Sequence, residues 1–155
     1  MKYPLCNYTH YSLLKGFSKP KQLSKKCVEN GYVACGISDY KSISGVVSFH
    51  KSCQDSGIKP IIGCSFDHYI LFAINKQGWF DLIEIVSSLS AEGNEYFHIT
   101  KEICKRNNLI CVTIDQSPCD ASLTFKHTSL TSPSHYVEQA DAHLHRILLC
   151  SAMKT

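Results

Sequence analysis

Cysteine and histidine are the side chains of this sequence best suited to chemistry, since both bind metal ions and both take part in nucleophilic catalysis. The chain has nine cysteines and eight histidines. A zinc ribbon needs cysteines at C-x-x-C spacing, but the pairs Cys27/Cys35, Cys104/Cys111 and Cys111/Cys119 are seven or eight residues apart. An odd number of cysteines cannot all pair within one chain. We therefore expect free, mostly buried thiols in a reducing cytoplasm.

Two histidines, His143 and His145, form an H-x-H pair that could bind one ion on a strand, where alternate residues share a face. The segment 138–153 has the apolar periodicity of a helix instead. On a helix of about 3.6 residues per turn the two side chains diverge by about 200°. A Cys/His nucleophile would also need an orienting group, and no local signature singles out one pair. Spacing alone therefore predicts neither chemistry.

Composition excludes several classes of protein. Hydrophobic residues make up 44% and charged residues 19% of the chain, which is typical of a folded globular domain. The net charge of +3 is too small to indicate a nucleic-acid-binding protein. The basic cluster of Lys19, Lys21, Lys25 and Lys26 predicts weak, salt-sensitive binding at most. No apolar run approaches the roughly 20 residues of a membrane span, and no signal peptide is visible after Met1.

Helix-like and strand-like segments alternate through the first two-thirds of the chain. Apolar periodicity and turn residues predict helices at 18–31, 46–57, 79–89, 100–106 and 138–153. Apolar, β-branched runs predict strands at 32–37, 59–64, 69–74 and 109–114. The stretch 116–134 is rich in Ser, Thr and Pro, which predicts an irregular connection with one short strand at 123–125.

The alternation favours an α/β fold with a mainly parallel sheet, because parallel strands need helical crossovers. The length of 155 residues corresponds to about one domain. We therefore expect a single domain over 1–155, with 116–134 as its irregular connection.

Several short blocks occur in an order and at a spacing that resemble a known family. They read YSLLKG at 11–16, ISDY at 37–40, GVVSF at 45–49, GIKPIIGC at 57–64, NKQGW at 75–79, HYV at 135–137 and DAHLHRILLC at 141–150. In this arrangement the chain resembles the amino-terminal polymerase-and-histidinol-phosphatase (PHP) domain of bacterial DNA polymerase III alpha subunits. The resemblance covers residues 3–93 and 133–155.

The resemblance implies a distorted barrel, which two departures modify. The family's middle portion is largely missing between Gly93 and Pro133. We therefore expect a reduced PHP-like barrel or a partly open, mainly parallel sheet with outer helices. The family continues into a polymerase where this sequence reaches Thr155, which favours a shortened, stand-alone version of the domain from a compact, phage-like genome.

The resemblance also implies a metal centre. Active PHP domains hydrolyse phosphoesters with up to three metal ions, which lower the pKa of a bound water and hold the phosphate. The family's ligand motifs H-x-H, D-H, Glu and D-x-H correspond here to Cys6-Asn7-Tyr8, Asp39-Tyr40, Ser65 and Pro133-Ser134-His135. The family's central histidine ligands fall in the shortened stretch.

Asp39 and His135 are the two positions that keep the family's ligand types, and Cys6 is a chemically possible substitute. Tyr8 and Tyr40 are poor substitutes, because a neutral phenol does not bind a divalent ion as imidazole does. Two ligands do not hold a catalytic ion. We therefore expect Asp39 and His135 to be remnant metal positions without an ion, and the domain to have no cofactor.

These expectations lead to a hypothesis about function. The sequence favours a catalytically inactive, protein-binding subunit of a replicative DNA polymerase complex, located in the cytoplasm. Its expected partner is the polymerase or its proofreading exonuclease, with weak or no direct binding of nucleic acid and no membrane. Two alternatives remain open: a residual zinc- or manganese-dependent phosphoesterase or 3′–5′ exonuclease, and an inhibitor that mimics a host polymerase's PHP domain.

Overall fold

The computed structural model describes residues 4–67, 69–92, 106–113 and 134–153. Its elements in chain order are α1 (Pro20–Glu29), β1 (Ala34–Ile37), α2 (Val46–Asp55), β2 (Lys59–Ser65), β3 (Tyr69–Ala73), α3 (Lys76–Glu92), β4 (Leu109–Thr113), a 3₁₀ helix (Gln139–Asp141) and α4 (Ala142–Met153).

The predicted helices and strands within these ranges are confirmed, with shifts of a few residues at their ends. The predicted helix at 100–106, the short strand at 123–125 and the irregular connection at 116–134 lie outside the described residues, except for Arg106 and Ser134 at their ends. The single domain over 1–155 stays a prediction. No helix within the described ranges is long and apolar enough to cross a membrane.

Local sequence explains where α1 begins and ends. The backbone N–H of Lys19 donates to Oε1 of Gln22 at 3.1 Å, and Pro20 occupies the first helical turn, where a backbone N–H has no intrahelical partner. The chain leaves the helix at Gly31, whose φ of 71° is a left-handed conformation that glycine adopts without steric strain.

The four strands form one open sheet in the order β1-β2-β3-β4. β1 pairs with β2 in parallel, but β2 with β3 and β3 with β4 are antiparallel. The α/β class and the partly open sheet are thus confirmed, whereas the mainly parallel arrangement of strands is wrong. The physical reason at β2 and β3 is the short connection at 66–68, which cannot provide the crossover that a parallel pair requires.

Extended segments outside the named strands continue the parallel part of the sheet. The backbone of 4–7 lies beside β1, where Gly36 N donates to Pro4 O at 2.8 Å and Ser38 N donates to Asn7 O at 3.0 Å. Ser134 lies on the other side of this segment in a parallel bridge with Asn7. Residues far apart in sequence thus run side by side towards one end of the sheet.

Three apolar clusters cover the two faces of the sheet. One lies beneath α1 and α2 and includes Cys27, Cys35 and Phe49. A second lies beneath α3, around Leu82, and a third is centred on Ile70 on β3. Phe49, Leu82 and Ile70 are each 0% exposed, and complete burial of such a side chain contributes about 1.5–3 kcal/mol to folding.

Candidate functional site

The positions that the resemblance relates to metal ligands lie together at the carboxyl ends of the parallel strands. Asp39 and Tyr40 follow β1, and Ser65 is the last residue of β2, where it forms a parallel bridge with Tyr40. Tyr8 comes from the extended segment beside β1, and its ring contacts the ring of His135. In open α/β sheets this end of the strands is where ligands bind.

Asp39 is 1% exposed and both of its oxygens accept hydrogen bonds. Oδ1 accepts from the backbone N–H of Thr9 and from Oγ of Ser12, each at 2.6 Å. Oδ2 accepts from Oγ1 of Thr9 at 2.7 Å. A Cβ at position 45, where the chain has Gly45, would lie 2.7 Å from the same oxygen. The carboxylate therefore holds the turn at 9–12 against the end of β1.

Tyr8 and Ser65 occupy the positions of a family histidine and a family glutamate, and they bond to each other. The two hydroxyl oxygens are 2.9 Å apart, and the side chains are 5% and 0% exposed. Burial raises the pKa of Tyr8 to about 12, with the hydrogen bond to Ser65 opposing part of that rise. The pair is therefore neutral and bonded internally.

Tyr40, at the position of the family's second-motif histidine, lies at the edge of this cluster. Its hydroxyl donates a short hydrogen bond to Asp67, which also forms an ion pair with Lys41 at 3.0 Å. The ammonium group of Lys15 lies 3.7 Å from the centre of the Tyr40 ring, in a cation–π contact. Burial raises the pKa of Tyr40, and Asp67 raises it further.

Cys6 occupies the position of the family's first histidine. Its side chain is 4% exposed, and Ser38 Oγ lies 3.7 Å from its sulfur. Burial raises the pKa of the thiol to about 11, although the contact with Ser38 lowers it in part. In the absence of an ion, burial therefore keeps the Cys6 thiol protonated at neutral pH.

His135 is connected to the rest of the fold through its ring and one nitrogen. Its Nδ1 lies 2.7 Å from the carbonyl oxygen of Lys15, and His145 Nε2 lies 3.1 Å from the same oxygen. Since a carbonyl only accepts, these nitrogens carry the protons. The His135 ring stacks on His145 at 4.7 Å and meets the Tyr8 ring edge-on at 5.1 Å. Burial lowers the pKa of His135, the hydrogen bond to the Lys15 carbonyl opposes part of that shift, and the charges of His145 and Lys15 lower the pKa further.

The H-x-H pair at 143 and 145 does not converge on one point. His145 is buried against the 15–17 turn, whereas His143 is exposed and its Nδ1 lies 3.1 Å from the carbonyl oxygen of Ala140. The helical geometry predicted from the sequence explains this divergence.

The family profile of the PHP domain matches residues 5–149. The chain belongs to the PHP domain family. DNA polymerase III subunit alpha of Chlamydia pneumoniae is 33% identical over 144 residues, which cover 77% of this chain and 12% of that protein. The subunit of the same name from Helicobacter pylori (strain 26695) is 32% identical over 118 residues, or 65% of this chain and 10% of that protein. The domain thus spans about an eighth or less of these relatives' length.

Among solved structures, an amidohydrolase from Chromobacterium violaceum is similar with a TM-score of 0.49 and 13% sequence identity. The similarity covers 60% of this chain and 34% of that chain.

The donors among the described residues do not fit the metal cluster that the family implies. Two of the positions are neutral phenols, one is a hydroxyl and one is a buried thiol. The carboxylate of Asp39 already accepts three hydrogen bonds. Within 4–67, 69–92, 106–113 and 134–153, no three His, Cys, Asp or Glu side chains are grouped so that they could hold an ion. Among the described residues, this arrangement bonds the strand ends to one another and does not group charged ligands around one point.

Asp39 and His135, the predicted remnant positions, are connected through the adjacent residues Thr9 and Tyr8. That these two residues bind no metal ion stays a prediction. Sequence reasoning missed Thr9, Ser12 and the carbonyl of Lys15. A signal was available for two of them, because hydroxyl side chains in a turn that follows an extended segment often bond to nearby polar groups.

Proposed function

We propose that this PHP domain binds a protein of a replicative DNA polymerase assembly and does not itself hydrolyse phosphoesters. The relation to DNA polymerase III alpha subunits supports the assembly. The internal bonding of the residues at the metal positions supports the loss of activity, and this is the observation that carries the proposal.

The donors at the positions related to metal ligands are bonded within the protein. Metal-assisted phosphoester hydrolysis needs several imidazoles and carboxylates free to ligate ions that activate water. In this domain Tyr8 bonds to Ser65, Tyr40 bonds to Asp67, and Asp39 bonds to the 9–12 turn. Tyr8, Tyr40 and the retained Asp39 therefore all bond to neighbours within the protein.

Apolar side chains exposed along α4 support the proposed binding of a protein. Ile147 and Met153 are 61% and 66% exposed, and Leu144 and Leu149 are each 36% exposed. By contrast, Leu82 and Ile85 on α3 are 0% and 4% exposed, so the apolar face of α3 belongs to the core. Exposed apolar side chains on a helix are typical of a protein-binding surface, and we place the interface on α4.

We expect little direct binding of nucleic acid by this domain. Lys25 forms an ion pair with Glu29 at 3.8 Å, and Lys26 forms one with Glu138 at 3.1 Å. Two of the four clustered lysines are thus already partnered by carboxylates. Because each neutralised phosphate adds about −0.9 to the salt slope of duplex DNA binding, we expect a shallow slope and weak affinity.

Size-exclusion chromatography with the polymerase III alpha subunit and the proofreading exonuclease of the same organism tests the binding. We expect a complex burying more than about 1,000 Å² in total. Arg146→Glu, on the exposed face of α4, should weaken the complex without unfolding the domain, whereas Lys51→Glu on α2 should not. If the domain elutes at its own volume when it is mixed with either protein, the proposed binding is wrong. In the resulting complex, slower primer extension indicates an inhibitor and unchanged or faster extension a resident subunit.

A phosphodiesterase assay with added manganese tests the loss of activity separately. We expect no hydrolysis above the buffer control, and less than about one divalent ion per chain after dialysis, because a catalytic zinc site uses about three protein ligands. Hydrolysis that disappears in Asp39→Asn, together with two or three bound ions, would establish the enzyme instead.

A further inference from the structure

The thiols of Cys27 and Cys35 lie in direct contact in the core beneath α1 and α2. Their sulfur atoms are 2.9 Å apart, and the side chains are 3% and 0% exposed. Cys27 is on α1 and Cys35 is on β1, so the contact joins a helix to the sheet. Both cysteines are free. Since a disulfide bond is about 2.05 Å long, the sulfurs need to approach by less than about 1 Å to form one.

The two thiols differ in acidity, which gives each a different role in oxidation. The contact with Cys35 lowers the pKa of Cys27, although burial opposes this, and the same contact together with burial raises the pKa of Cys35. The thiolate is the reactive form of cysteine. The direction of these shifts favours Cys27 as the attacking sulfur and Cys35 as the resolving one, and the position of Cys27 in the last turn of α1 favours the same assignment.

Position in the fold gives Cys27 a route to a small oxidant. Cys27 lies in the last turn of α1, two residues before the helix ends at Glu29, and helix ends fray. Its neighbour Val28 is 44% exposed. By comparison, Cys64 is 0% exposed at the far end of β2, where burial raises its pKa to about 12.

We propose that Cys27 and Cys35 form a reversible disulfide when the folded domain meets hydrogen peroxide. The Cys27 thiolate attacks one peroxide oxygen, the O–O bond breaks, and the products are a sulfenic acid at Cys27 and hydroxide, which takes a proton to become water. The Cys35 sulfur then attacks the Cys27 sulfur, and the hydroxyl leaves with the Cys35 proton as a second water. Two thiols and one peroxide thus give one disulfide and two waters, and the bond connects α1 covalently to β1.

Peptide mapping tests this on the wild-type protein. Trypsin cuts after Lys26 and Lys41, so Cys27 and Cys35 fall on one peptide that contains no other cysteine. After peroxide treatment, the mass of this peptide should be lower by two hydrogen atoms, and neither cysteine should react with an alkylating reagent. Reduction with dithiothreitol should restore the original mass and the reactivity of both cysteines. A second digest that cuts after Glu29 separates the two cysteines, and the fragments should stay linked until reduced.

Rates and variants separate a specific disulfide from general oxidation. Under peroxide, we expect the pair to lose its alkylatable thiols about tenfold faster than Cys64, because Cys27 lies in the last turn of α1 whereas Cys64 lies within β2. Cys27→Ser should leave Cys35 fully alkylatable, whereas Cys53→Ser, which changes the third thiol of the same cluster, should leave the disulfide intact. If the 27–41 peptide keeps two free thiols while Cys150 oxidises, or if Cys27 ends as an irreversible sulfinic acid, the proposal is wrong.

Discussion

Two fully enclosed regions lie on neighbouring parts of the same sheet and are stabilised differently. The cluster beneath α1 and α2 is apolar, and its members contribute through buried area. The cluster at the strand ends is polar, and its members contribute through specific bonds, such as those of Asp39 and of the Tyr8–Ser65 pair. No described buried side-chain nitrogen or oxygen lacks a partner.

The difference bears on our proposal that the positions related to a metal centre serve as structural bonds in this domain. An apolar core accepts volume-conserving substitutions with small losses. A buried polar cluster does not, because each unpartnered group carries a desolvation penalty. Replacing one member of this cluster would leave the polar groups bonded to it without a partner. The Tyr8–Ser65 bond joins two replaced positions, which is the outcome expected when both change together.

Phe49→Ala should have the largest effect, since it removes the largest side chain of the apolar cluster. We expect a loss of about 3–5 kcal/mol in the free energy of unfolding, from lost burial and the cavity left behind. Urea denaturation measures this. Val47→Ala on the same helix is the matched control, because Val47 is 76% exposed. Equal losses for both variants would contradict the packing described for α2.

Asp39→Asn should have the second-largest effect. The substitution preserves the shape of the side chain but removes its charge, and it places the amide N–H group next to the donor groups of Thr9 and Ser12. We expect a loss of about 2 kcal/mol, which is typical of hydrogen bonds to a charged group. Asp55→Asn, at an exposed position on α2, is the control and should change little. If Asp39→Asn stabilises the fold, Asp39 is held there for a ligand and the interpretation of the cluster is wrong.

Tyr8→Phe should have a smaller effect of about 1 kcal/mol, the net contribution of one neutral hydrogen bond. A double-mutant cycle with Ser65→Ala sharpens the comparison by isolating the pair. We expect a positive coupling energy between the two positions, since they share one bond. Strictly additive losses would show that the two residues act independently.

The smallest expected effect is a pH dependence from His135. Its pKa is lowered in the folded state, so near pH 6 the unfolded chain binds more protons than the folded one. The free energy of unfolding should therefore decrease as the pH falls below about 6.5. Thermal melts between pH 8 and pH 5 measure the slope, which His135→Asn should flatten and His143→Ala should preserve. If the slope is unchanged in His135→Asn, another titrating group causes the pH dependence of stability.

Sequence periodicity predicted the elements well because it reports burial locally. Leu23 and Cys27 recur at helical spacing, and α1 buries both. Strand direction was not predictable in this way, since the apolar runs at β2 and β3 look alike whether the strands are parallel or antiparallel. The short connection at 66–68 held the decisive signal, because three residues cannot form the crossover that a parallel pair needs.

The sequence indicated which residues belong to the candidate site, but it did not indicate how those residues bond. Motif spacing located Asp39 and His135 through the family resemblance. Their partners come from elsewhere in the chain, since Thr9 lies 30 residues from Asp39 and the Lys15 carbonyl lies 120 residues from His135. A backbone carbonyl leaves no trace in residue type, so no pattern in the sequence could have identified it.

The shared carbonyl of Lys15 has a consequence for synthesis on the ribosome. The turn that contains it leaves the exit tunnel early, yet its two imidazole partners are made 120 and 130 residues later. At about 5–20 residues per second, this delay lasts several seconds or longer. Throughout that interval the nascent chain exposes an incomplete amino-terminal turn, which a chaperone or protease can bind before translation reaches the second histidine.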